Sequence, residues 1–62
     1  MDVRVKFIDN KPYFSFESKK AKEWEELHLG EPITDSDTYI KDWTIAAKYM
    51  ENDGLIVEVD NI

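Results

Sequence analysis

The chain contains no cysteine, one histidine, two glycines and two prolines. Without cysteine there are no disulfides, and a single His is too little for a zinc site of the usual Cys/His kind, so neither covalent nor metal staples support the fold. No apolar run exceeds three residues, as in Leu55-Ile56-Val57, which excludes a membrane-spanning helix and the apolar stretch of a signal peptide. These absences lead us to expect a cytoplasmic protein, since a cysteine-free chain suits a reducing compartment. Basic residues are also scarce, eight against fourteen acidic ones for a net charge of −6, which argues against general affinity for phosphate backbones.

What is present is enough for one domain. Sixty-two residues bury only about 60% of the surface of their unfolded form, so stability must be modest. Hydrophobic residues at 42% and aromatics at 13% are nonetheless more than a disordered acidic tail carries. The charge is divided along the chain. Residues 1 to 22 hold six basic and three acidic groups, a balance of +3, and residues 23 to 62 hold two basic and eleven acidic groups, a balance of −9.

Alternation from Val3 to Phe7 and an aromatic run from Tyr13 to Phe16 predict a β-hairpin around Asp9-Asn10-Lys11-Pro12. Taking Asn10 and Lys11 as the loop pairs Ile8 with Tyr13, Val5 with Phe16 and Arg4 with Glu17, and places Val5, Phe7, Phe14 and Phe16 on the core face. Ser18 reads as the N-cap of a helix reaching about Leu29, with Gly30 as its left-handed stop. A second helix is expected from Thr34 to Ser36, where Thr34-x-x-Asp37 resembles a capping box, through to Asn52-Asp53-Gly54. Its inward stripe is Ile40, Trp43, Ala47 and Met50, widened by Tyr39 and Ala46, with Ile45 and Tyr49 pointing away. Leu55, Val57 and Val59 then mark a third strand, placed beside the first because a helical hairpin returning from the second strand can deliver it there.

The fold class is therefore α+β, a two-layer β-β-α-α-β domain with a three-stranded sheet and two helices packed on one face. The expected core is Val3, Val5, Phe7, Phe14, Phe16, Ala21, Trp24, Leu27, Ile40, Trp43, Ala47, Met50, Leu55, Val57 and Val59.

No catalytic constellation is evident. His28 near the end of the first helix is accounted for by the helix dipole, and no Cys or supporting motif offers it a nucleophile. Asp35-Ser36-Asp37 and Asp42 invite a calcium reading, but counted from Asp35 the sixth and twelfth EF-hand positions are Ile40 and Ala46 rather than Gly and an acidic residue. Asp53-Gly54 is a helix stop rather than a phosphate loop. We expect a protein that is not an enzyme and uses no cofactor and no metal ion.

The sequence points instead to a protein-binding module whose acidic helical surface docks on a basic site of a partner protein. Size and charge of this kind suit a small regulator or a phage-type inhibitor that occupies a nucleic-acid-binding groove as a mimic. The candidate contact residues are Glu23, Glu26, Asp42, Ile45 and Tyr49, within an acidic surface that also counts Glu25, Glu31, Asp35, Asp37, Glu51 and Asp53. Two alternatives remain open: a homo-oligomer through the open sheet face (Ile8, Tyr13, Ile56) or a sheet edge, and a weak nucleic-acid binder using Arg4, Lys6, Lys19, Lys20 and Lys22.

Overall fold

Asp9 and Asn10 both adopt positive φ, 53° and 65°, and form the two-residue loop between β1 (Val3–Ile8) and β2 (Lys11–Phe16). A tight hairpin turn of the primed type requires such angles, and short polar side chains tolerate them. The computed structural model describes residues 1–30 and 37–60. Its register pairs Val3 with Phe16, Val5 with Phe14 and Ile8 with Lys11, two residues away from the one expected from the sequence. The reason is Pro12. The pair that closes a two-residue hairpin exchanges both backbone hydrogen bonds, and a loop at Asn10-Lys11 would put Pro12, which has no N–H, in that position. A shift of two preserves side-chain parity, so the inward set survives. Arg4 now faces Ser15 but still reaches Glu17 diagonally at 3.3 Å, and Asp60 at 3.0 Å.

α1 (Lys19–Leu29) begins where the Ser18 hydroxyl accepts the Ala21 N–H at 3.0 Å and ends at Gly30, φ 68°, whose N–H bonds the Glu26 carbonyl. Both ends were expected. The buried face differs: it is centred on Ala21 and Glu25, whereas Leu27 is 79% exposed. At 3.6 residues per turn Leu27 lies about 200° around the helix from Glu25, so a helix that turns Glu25 inward must turn Leu27 out.

The second helix begins at Trp43, later than expected. Thr38–Tyr39 form a short strand, β3, on the free edge of β2, pairing Tyr13 with Tyr39 and Phe14 with Thr38, and the Ile40 N–H bonds the Pro12 carbonyl at 3.3 Å. α2 runs over Trp43–Asn52 with Asp42 at its N-cap and no side-chain cap bond. Thr34, the start of the expected capping box, lies outside the described residues, and Asp37 is not helical. Tyr39 thus belongs to the outer sheet face, with its ring 5.6 Å from that of Tyr13, and not to a helix stripe. The stop is as expected. Gly54 at φ 91° lets its own N–H bond Glu51 and the Leu55 N–H bond Met50, the Schellman pattern, and Met50 and Leu55 are both buried.

β4 (Val57–Val59) pairs parallel with β1, so the last strand lies beside the first as expected, and the sheet has four strands in the order β3-β2-β1-β4 rather than three. Its inner face, Val3, Val5, Phe14 and Phe16, packs with Ala21 of α1, Ala47 and Met50 of α2, and Leu55. Phe7, Trp24, Ile40, Trp43, Val57 and Val59 are half-buried at the margin of this core. No described helix is long and apolar enough to cross a membrane.

Asp2 ties the open end of this arrangement together. Its carboxylate accepts the Ile56 N–H at 2.8 Å, and its backbone bonds Ile56, Glu17 and Ser18. The Ile56 N–H, then the Ser18 hydroxyl, hold the carboxyl below its ordinary range. A depressed carboxylate contributes stability above its unfolded pKa and loses it as pH falls through the folded one. Asp2→Asn should therefore be less stable than the parent at about pH 6, with the gap closing as pH falls through and below the ordinary carboxylate range; urea midpoints from about pH 6 into acid would refute this if the gap stayed constant.

Candidate functional site

Ile45 and Tyr49 are the apolar members of the expected contact set. One turn apart on α2, they are 60% and 64% exposed and form an apolar ridge. On one flank the ridge borders a shallow depression of about 310 Å³ with Lys48 and Asn52. On the other it borders a larger cleft of about 500 Å³ between the two helices.

α1 supplies one wall of that cleft, Trp24, His28 and Leu29, and α2 the other, Ile45, Ala46 and Tyr49. Ile40 and Asp42 line it from the approach to α2, and Asp53 from the residue after it. Trp24 and His28 fall one turn apart on α1, with rings 4.6 Å apart. Trp24 is in turn stacked at 6.2 Å on Phe16, itself 6.2 Å from Phe14, so a file of aromatic rings leads from the centre of the core to the cleft. The Trp24 indole N–H donates to Asp53 Oδ2 at 2.7 Å, and His28 Nε2 lies 3.6 Å from the same oxygen. These contacts fix Asp53 while leaving its side chain 45% exposed. Lys20 adds a clasp below, donating from Nζ to the Gly54 carbonyl at 2.9 Å and joining α1 to the stop of α2.

The His28–Asp53 separation exceeds a hydrogen bond, and among the described residues no hydroxyl is hydrogen-bonded to His28. No group of three or more His, Asp and Glu side chains among the described residues is placed to hold a metal ion.

Of the residues expected from the sequence, the cleft gathers Asp42, Ile45 and Tyr49. Glu23 and Glu26 are exposed on α1 but do not line it, and Glu31 and Asp35 lie outside the described residues. Glu25 is not surface at all: it is 2% exposed, accepts the Thr38 hydroxyl at 2.6 Å through Oε2, and its Oε1 has no partner among the described residues. Sequence reasoning missed Trp24, His28 and Asp53 as a group. The i, i+4 spacing of Trp24 and His28 was the available signal, but Asp53 joins them only through the packing of one helix on the other.

On the outer sheet face the cations are matched by acids. Arg4 is held by Asp60 and Glu17, which raise its pKa further above the ordinary value, and Lys6 Nζ is 3.9 Å from Asp37. No protein-family model, no curated protein and no solved structure matches the chain.

Proposed function

We propose that the protein is a non-enzymatic binding module that docks on a basic surface of a partner protein through the cleft between α1 and α2. The observation that carries this reading is the lining: apolar walls of Trp24, Leu29, Ile45 and Tyr49, with carboxylates at Asp42 and Asp53 and no Lys or Arg. Apolar anchors provide affinity, and flanking charge of one sign steers association and selects partners. The excess of acidic groups after residue 22 extends the same field around the helical layer. A small regulator or an inhibitor occupying a nucleic-acid-binding site fits this description.

Substituting the ridge separates binding from folding. Ile45→Ala with Tyr49→Ala should change stability by no more than about 0.5 kcal/mol per site, because both side chains are exposed. The same double variant should recover at least tenfold less of any partner retained by the parent chain, and Asp42→Lys should weaken retention most at low salt. Unchanged capture by the double variant would overturn the assignment.

A second reading, a homo-oligomer through the sheet face, draws on the exposed Tyr39 and Ile8 beside Tyr13. Sedimentation at micromolar concentration distinguishes it, since a strict monomer removes it. Nucleic-acid binding ranks below both, because Arg4 and Lys6 already face carboxylates.

A further inference from the structure

Resting on the reading of the cleft as a docking site, we infer that its occupant is a cationic amphipathic helix of the partner, about three turns long. Three observations converge on this occupant: the kind of backbone that borders the cleft, the spacing of its ridge, and the position of its charges.

The lining comes from α1, α2 and the residues flanking α2, and neither edge strand of the sheet contributes. Helix interiors have their N–H and C=O groups already bonded along the axis, so the walls present no row of backbone partners. An extended peptide laid here would leave its own backbone groups unpaired against apolar side chains, whereas a helix brings its hydrogen bonds with it. Ile45 and Tyr49, one turn apart, are a ridge of the i, i+4 kind that packs into the groove of another helix, and Trp24 and Leu29 close the far side.

The carboxylates set length and charge. Asp42 and Asp53 bracket α2, eleven residues apart, which at helical rise is about 16 Å. An occupant lying along α2 therefore meets an acid near each end and apolar surface between. It calls for Lys or Arg about eleven residues apart with an apolar stripe at i, i+4 and i+7. The lining holds no Lys or Arg to repel cations at Asp42 and Asp53, while an acidic helix would meet like charge at both ends.

The test uses the full chain, labelled with nitrogen-15, at about pH 7.5. The probe is a capped fifteen-residue synthetic peptide with a Leu stripe at helical spacing and Lys on its flanks. Amide shifts should be confined to α2 and the C-terminal half of α1. Affinity should fall at least tenfold when Lys is replaced by Glu in the peptide, when a central Pro breaks its helix, and when the protein carries Ile45→Ala with Tyr49→Ala. Shifts centred on Tyr13 and Tyr39, equal binding of the Pro or Glu peptide, or no binding at millimolar peptide would each overturn the inference.

A photo-cross-linking residue at position 49, used on a partner retained by the parent chain, keeps the two readings apart. Cross-linking to a strand or loop of that partner removes the helix inference and leaves the docking site standing. Retention that is insensitive to the ridge substitutions removes the docking site itself.

Discussion

Phe14→Ala should leave the domain largely unfolded at room temperature. Phe14 is fully buried on the central part of β2, stacked at 6.2 Å on Phe16, with Val5 opposite it on β1. Truncating a buried Phe removes about 3 to 5 kcal/mol, transfer and cavity together. A chain of this length has about 3 to 9 kcal/mol in all, at typical stability per residue. Circular dichroism against temperature and urea should show a lost or barely measurable transition. A variant that keeps its midpoint would mean that the aromatic file from Phe14 to Trp24 is not the centre of the core. Ile45→Ala, equally apolar but exposed, is the internal control for the loss of a large side chain as such.

The second large effect concerns Glu25 and Thr38, and its sign depends on which partner is removed. Thr38 on edge strand β3 donates its hydroxyl to the buried Glu25 carboxylate of α1, the one donor that carboxylate has among the described residues. Thr38→Val keeps the shape and removes the donor, and should destabilise by about 1 to 3 kcal/mol because a buried polar group is left unsatisfied. Glu25→Met fills the same volume without a polar atom, and should be neutral or stabilising by as much as a few kcal/mol. The double variant should therefore be more stable than Thr38→Val alone. Urea unfolding of the four proteins closes the cycle. If Glu25→Met is the most destabilised of the set, the carboxylate is a net support of the fold and this account is wrong.

Much of the scaffold could be read from local chemistry, because its signals are short-range. Ser18, Gly30 and Gly54 mark helix ends whatever else the chain does, and alternation at Val3 to Phe7 fixes which side chains face inward even when the register is off by two. The missing N–H of Pro12 is the local feature that selects the observed register. Other features required tertiary information. β3 is two residues long, too short for periodicity to register, and Tyr39 also fits the apolar stripe of a longer second helix. Burial of Glu25 and exposure of Leu27 are a single fact, the rotation of α1 about its axis, which is set by the strand it packs against. At the candidate site the outward pair Ile45 and Tyr49 was legible from helical phase alone, with Asp42 beside it. The opposite wall was not, because Trp24, His28 and Asp53 meet only when two helices separated in sequence come together.

The pairing of β1 with β4 also constrains when the domain can form. Val57 to Val59, the parallel neighbours of Val3 to Val5, are synthesised more than fifty residues after them. Until those residues emerge, β1 has one unfilled side, and Asp2 lacks the Ile56 amide that secures it. During synthesis the hairpin and α1 can assemble from neighbouring residues, but the sheet closes only after Val57 to Val59 have been translated. A nascent chain stalled before residue 57 should therefore expose the β1 edge to chaperones and proteases, and release should convert it to the protected form in a single late step.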